Sequence, residues 1–157
     1  MTKPINFRGI AHPKPAKTRA NGADMSAAEI ASVNLGRRGG TALHMEHDMG
    51  DRVGTVTSSW EGRDGSLRVS GVVTEPSAVA SVRSGATRGL SLGTSVITNE
   101  AGKRLCAFTD ELSLCEEPRR AGCYVTDIDG APVRQLVTAS AKSGARLLDK
   151  DFCSGRG

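Results

Sequence analysis

Residues 52–60 (RVGTVTSSW) and 66–73 (SLRVSGVV) are the part of the sequence that decides the fold class. In the second segment Leu67, Val69 and Gly71 recur at every second position, which places them on one face of a strand. Between the two segments, residues 61–65 (EGRDG) are typical of a turn. The sequence therefore predicts two strands joined by a turn in the middle of a β-rich protein.

On either side of this pair, the sequence predicts further short strands and two helices. Strands are expected at residues 5–11, 41–47, 90–97, 105–108, 111–115 and 124–128. One short helix is expected to begin after Asp24 or Ser26 and to end by Gly36, and a second is expected from Pro76 to the stop at Gly85. The predicted fold class is mainly β with a few helices (α+β), a small closed or partly open β-barrel flanked by short helices.

The length of 157 residues suits one domain with a single core. Apolar residues make up 38% of the chain but aromatic residues only 3%, so Val, Leu, Ile and Ala must fill that core. The apolar pattern fades after residue 137. We therefore expect one folded domain over residues 1–137 and a flexible basic tail over residues 138–157.

Composition argues against several classes of partner. The net charge of +4 is dispersed and the aromatic residues are few, so no specific nucleic acid is expected as a partner. No apolar run approaches the ~20 residues of a membrane span, and no signal segment is recognised at the start of the sequence. The four cysteines, Cys106, Cys115, Cys123 and Cys153, form no CxxC pair and are interpreted as free thiols of an intracellular protein.

No cofactor and no metal ion are predicted. A zinc set built from His44 and His47 with Glu46, Asp48 and the cysteines is the one alternative, but the sequence contains neither an HExxH motif nor paired cysteines.

Three blocks contain the residue types needed for acyl transfer by serine, which requires a hydroxyl nucleophile, an imidazole base, a group that orients the base, and donors for the oxyanion. The first block is HDMGDRVG (47–54), followed by GSL (65–67) and GVVTEP (71–76). The second is GLSLG (89–93). The third is ELSLC (111–115), followed by PRRAG (118–122).

In this order, the blocks resemble the herpesvirus assemblin and phage prohead (capsid maturation) serine protease superfamily, over roughly residues 41–122. The resemblance implies that residues 1–137 are a protease domain, with Ser91 as the nucleophile and His47 as the general base. The third catalytic position falls on Glu111, where assemblins have a second histidine and prohead proteases an acid. Its neighbour Asp110 remains the alternative, and His44 matches no family position.

The same resemblance implies that Arg119 and Arg120 stabilise the oxyanion. It further implies a serine endopeptidase that processes viral scaffold and capsid proteins during capsid maturation, inside the assembling capsid of an infected cell, with a possible homodimer. Residues 136–140 (LVTAS) resemble an assemblin release sequence, so self-cleavage is expected between Ala139 and Ser140.

Two other functions are compatible with the sequence. One is a catalytically inactive capsid-assembly or scaffold module of the same fold. The other is a small basic nucleic-acid-binding barrel.

Overall fold

The computed structural model describes residues 2–15 and 24–133. Within them, one sheet contains strands β1 (Ile5–His12), β2 (Thr41–Met45), β3 (Asp48–Glu61), β4 (Leu67–Val73), β5 (Gly89–Thr98), β6 (Arg104–Cys115), β7 (Val125–Ile128) and β8 (Ala131–Pro132). The helices are α1 (Ala27–Ala31) and α2 (Pro76–Ser84), and a 3-10 turn covers Arg37–Gly39. The predicted boundary at residue 137 and the predicted tail lie outside the described residues.

The sheet has the strand order β5-β6-β2-β3-β4-β1-β7-β8 and is not closed into a barrel. All neighbouring strands are antiparallel except β2 and β6, which run parallel. The two ends of the sheet approach each other at one isolated bridge, between Gly89 and Tyr124. A closed barrel needs a continuous ladder between its first and last strands, so the closed form of the prediction is wrong. The mainly β character with two short helices is confirmed.

Both helices begin and end at the residue types that favour such positions. Ser26 and Glu29 form a capping box at the start of α1, each side chain accepting from the backbone N–H of the other. Pro76 opens α2, and Gly85 ends it in the left-handed conformation, with φ 90°. Glu29 also accepts from the side chain of Arg104 at 2.8 Å and from the N–H of Ala107 at 2.7 Å, which fixes α1 against β6. None of the described helices is long and apolar enough to cross a membrane.

Aliphatic side chains fill the core, as the composition requires. Among the most buried are Ile5, Leu43, Val56, Leu67, Val69, Leu112 and Leu114, each with no exposed surface. Burial of one such side chain contributes roughly 1.5–3 kcal/mol. Next to this core β3 and β4 lie very close together, since a Cβ on Gly54 would stand 2.0 Å from the carbonyl oxygen of Val72. The β3–β4 hairpin is therefore tightly packed in the middle of the sheet.

The boundaries of β2 and β6 differ from the prediction in a way that matters for function. β2 ends at Met45 rather than at residue 47, and β3 begins at Asp48, so Glu46 and His47 form the turn between them. The two segments predicted at residues 105–108 and 111–115 are one continuous strand, β6.

Candidate active site

Strand register brings three distant segments together. β5 pairs with β6 so that Ser91 lies opposite Ser113 and Gly93 opposite Glu111. β2 runs parallel to β6 on its other edge, with Met45 beside Leu114. The turn that follows Met45 therefore reaches over β6 towards β5. This arrangement carries His47 to Ser91 and Glu111.

The side chains of Ser91, His47 and Glu111 form a continuous chain of hydrogen bonds. Nε2 of His47 lies 2.8 Å from Oγ of Ser91, and Nδ1 lies 2.7 Å from Oε1 of Glu111. With Nδ1 protonated and donating to the carboxylate, Nε2 is able to accept the hydroxyl proton of Ser91. Ser91 and Glu111 are each only 6% exposed, whereas the His47 side chain is 41% exposed. A reactant would meet the imidazole first.

The second oxygen of Glu111 is also bonded. Oε2 accepts a hydrogen bond from Oγ of Ser113 at 2.5 Å and lies 3.3 Å from Nδ1 of His44. A buried carboxylate requires such partners, because burial without them costs several kcal/mol. His44 matches no family position in the sequence. The parallel pairing of β2 with β6 places it at the carboxylate.

Gly93 makes room for that carboxylate. A Cβ at this position would stand 2.5 Å from Oε1 of Glu111 and 3.1 Å from its Cβ. Any larger residue would push Glu111 away from His47. A glycine inside a strand is a known sign of close approach, which is the signal that could have identified Gly93 from the sequence.

His47 occupies an unusual backbone conformation. Glu46 and His47 both have positive φ, 51° and 61°, in a two-residue turn where Asn and Gly are the favoured residues. Hydrogen bonds to β6 and its continuation hold the turn. The N–H of Glu46 donates to the carbonyl of Leu114 at 2.8 Å, and the N–H of His47 donates to Oγ of Ser113 at 3.0 Å. The N–H of Glu116 donates to Oε2 of Glu46 at 3.0 Å.

A cavity of about 430 Å³ opens beside the imidazole. Its walls are mostly small side chains, namely Thr41, Ala42, Gly93, Thr94 and Ser95, together with His44, His47, Met49 and Glu111. The buried Oγ1 of Thr94 has no hydrogen-bond partner among the described residues.

The other predicted site residues are not part of the hydrogen-bond chain from Ser91 to Glu111 or lie outside the described residues. Arg119 is exposed, and Nε of Arg120 donates to Oδ1 of Asp24 at 3.1 Å. Pro118, which precedes them, lies against the start of β5, because a Cβ on Gly89 would stand 2.9 Å from its Cδ. The side chain of Asp110 and the predicted cleavage site Ala139–Ser140 lie outside the described residues.

Two buried titratable side chains outside this centre, His12 and Cys115, have shifted pKa values. His12 is 2% exposed, and its Nε2 accepts from the N–H of Met25 at 3.0 Å. Burial lowers the pKa of His12 below 6.5, so its imidazole is neutral near pH 7. Burial also raises the pKa of the Cys115 thiol to about 11, which removes it as a nucleophile at neutral pH. No group of three or more His, Cys, Asp or Glu side chains that could hold a metal ion occurs in residues 2–15 and 24–133.

Comparisons with known proteins identify the fold. No protein-family model matches the chain, and no curated protein matches its sequence. Kaposi's sarcoma-associated herpesvirus protease in complex with a hexapeptide phosphonate inhibitor superposes with a TM-score of 0.59 at 15% identity, covering 79% of this chain and 64% of that one. The same protease in complex with a dimer disruptor gives a TM-score of 0.51 at 15% identity, covering 77% of this chain and 74% of that one.

Varicella-zoster virus protease gives a TM-score of 0.50 at 12% identity, covering 79% of this chain and 64% of that one. The chain thus spans somewhat less than two thirds of the length of the first and third of these structures. At such identities the likeness is one of fold. This protein has the fold of the herpesvirus assemblin proteases.

Proposed function

We propose that this protein is a serine endopeptidase in which Ser91 is the nucleophile, His47 the general base and Glu111 the group that orients the base. The observation that carries the proposal is the unbroken hydrogen-bond chain from Oγ of Ser91 through the imidazole to Oε1 of Glu111. Such a chain is what acyl transfer by serine needs, and three separate elements of the fold are required to assemble it.

The reaction follows from this geometry. Oγ of Ser91 attacks the scissile carbonyl carbon while Nε2 of His47 takes its proton, and Glu111 stabilises the imidazolium that forms. The C–N bond then breaks, the leaving amine takes the proton from His47, and an acyl ester remains on Ser91. Water, deprotonated by His47, hydrolyses the ester and restores the enzyme.

In the proposed mechanism, the Arg119–Arg120 segment stabilises the oxyanion through a backbone N–H and a positive charge. The contact of Pro118 with the start of β5 supports this assignment, because β5 carries Ser91 two residues after Gly89.

The substrates in this proposal are peptides with small side chains next to the cut bond, as the small residues around the cavity favour. They are scaffold and capsid proteins inside an assembling viral capsid, and the chain itself between Ala139 and Ser140. The neighbouring herpesvirus structures hold a hexapeptide phosphonate inhibitor and a dimer disruptor. These two ligands support peptide substrates and a homodimer for this chain.

Fluorophosphonate labelling and mass spectrometry of the full chain test the proposal. We expect the wild type to take one label, on Ser91, and to release residues 140–157. The Ser91→Ala variant should stay intact and unlabelled, with activity reduced on the order of 10⁴-fold or more. A Ser58→Ala variant, altered on β3 where the hydroxyl pairs with Ser70, should behave as the wild type.

A folded wild-type chain that takes no label on Ser91 would contradict the proposal. It would favour the catalytically inactive capsid-assembly module instead.

A further inference from the structure

We propose that Ser113 is a positioning residue that sets the place of both the general base and the carboxylate. This inference rests on the serine-protease chemistry proposed above. Ser113 acts through the two residues that its hydroxyl contacts, His47 and Glu111.

The hydroxyl of Ser113 bonds to both partners of the imidazole–carboxylate pair. Its Oγ accepts the backbone N–H of His47 at 3.0 Å and donates to Oε2 of Glu111 at 2.5 Å. One oxygen atom therefore fixes the backbone that carries the base and the carboxylate that orients it. The 2.7 Å bond between Nδ1 of His47 and Oε1 of Glu111 lies between these two fixed points.

Burial makes this hydroxyl hard to replace. Ser113 is fully buried, at 0% exposure. Removal of the hydroxyl would leave the part-buried N–H of His47 without this acceptor, and an unsatisfied donor destabilises the local structure. Oε2 of Glu111 would keep only the longer contact to His44, at 3.3 Å.

The conformation of the turn makes the position of His47 depend on Ser113. Glu46 and His47 both have positive φ, a conformation that is unfavourable for non-glycine residues and persists only when the surroundings impose it. Of the three hydrogen bonds described for this turn, the bond to Ser113 is the one made by the backbone of His47, since the other two hold Glu46. Without it the imidazole can move relative to Ser91, and a shift of about 1 Å can lower a rate about 100-fold.

The test compares Ser113→Ala with Ser66→Ala in the full chain. Ser66 is a matched control because it is 1% exposed, donates to a carboxylate oxygen of Asp64 at 2.6 Å and accepts from Nε of Arg68 at 3.1 Å. It lies beyond the opposite end of β3 from the turn. Saturation kinetics of fluorophosphonate labelling separates the inhibitor's binding constant from the rate of attack by Ser91. Proton NMR reports the His47 N–H that donates to Glu111.

We expect Ser113→Ala to lower the rate of attack about 10- to 100-fold with an unchanged binding constant, and to broaden or shift the His47 N–H signal. Ser66→Ala should lower stability but change neither measurement. Ser113→Cys is nearly the same size and has a weaker donor and acceptor, so it should fold and show an intermediate rate.

Labelling at the wild-type rate with an unchanged His47 signal in folded Ser113→Ala or Ser113→Cys would overturn the inference. If the wild type takes no label while the His47 signal still depends on Ser113, the proposed function fails and the positioning role stands. The two failures are therefore distinguishable.

Discussion

The two turns at either end of β3 differ in what determines them. The turn over residues 62–66 is built from its own residues, with Gly65 at φ 89° and Oδ1 of Asp64 accepting from both the N–H and the hydroxyl of Ser66. The turn at Glu46 and His47 has positive φ at two residues that disfavour it. It depends on hydrogen bonds to β6 and to the N–H of Glu116 instead.

This difference shows where local preference was set aside for function. A turn with Asn-Gly would join β2 to β3 with less strain, but it could not supply an imidazole between Ser91 and Glu111. Backbone strain clusters at functional sites for this kind of reason. The two turns should therefore respond oppositely to substitution. Changes at Glu46 and His47 should affect activity, and changes in residues 62–66 should affect stability.

The largest effect is expected from His47→Gly, which removes the base and relieves the strain at positive φ. Labelling of Ser91 and any cleavage should fall on the order of 10⁴-fold. The free energy of unfolding should change by less than about 1 kcal/mol, because relief of strain offsets the lost hydrogen bonds. Urea unfolding at pH 7 measures the second quantity. A loss of several kcal/mol would show that relief of strain does not offset the lost hydrogen bonds, and the turn at His47 would not be a strained one.

A moderate and opposite effect is expected from Gly65→Ala. A Cβ there makes only an ordinary 3.4 Å contact with Pro15, but φ of 89° disfavours any L side chain. The variant should lose about 1 kcal/mol of stability and keep the labelling rate of the folded wild type.

Gly50→Ala is the matched control for this change. Its Cβ would also make a 3.4 Å contact, with Asp48, and its φ is not in the left-handed region. It should therefore keep wild-type stability. If Gly65→Ala and Gly50→Ala unfold at the same urea concentration, the positive φ of residue 65 carries no cost and the local account of this turn is wrong.

The locally determined parts of the fold are the ones that could be predicted from the sequence. β4 was expected at residues 66–73 and lies at Leu67–Val73, and α2 begins at Pro76 and ends before Gly85 as expected. Their boundaries follow from alternation, proline and glycine, which act within a few residues. The turn at Glu46–His47 could not be found in this way, because contacts with β6 override the preferences of its residues.

The candidate site was likewise predictable only in part. Ordered blocks resembling a known family indicated Ser91, His47 and Glu111, and the structure brings these three side chains together. The surroundings of Glu111 were not predictable: the places of His44, Ser113 and Gly93 depend on the register of β6 against β2 and β5, which no local pattern reveals.

The smallest effect is expected from acid on the turn over residues 62–66. Burial raises the pKa of Asp64, but the two hydrogen bonds from Ser66 and the positive charge of Arg68 outweigh it and hold that pKa below 3.8. The carboxylate therefore adds stability that is fully present above pH 3.8 and is lost as the pH falls through the lower folded-state pKa. Because solvent screens this charge, the contribution should be less than about 1 kcal/mol.

Urea unfolding of the wild type and of Asp64→Asn at pH 7 and near pH 3 measures this contribution. The wild type should be the more stable at pH 7. The difference in free energy of unfolding between the two proteins should become smaller near pH 3, because the amide of the variant does not titrate. An equal difference in free energy of unfolding at both pH values would mean that the charge of Asp64 does not stabilise the turn. Gly65 would then be the main determinant of the turn. A smaller difference near pH 3 would show that this turn derives part of its stability from its own side chains, in contrast to the turn that carries His47.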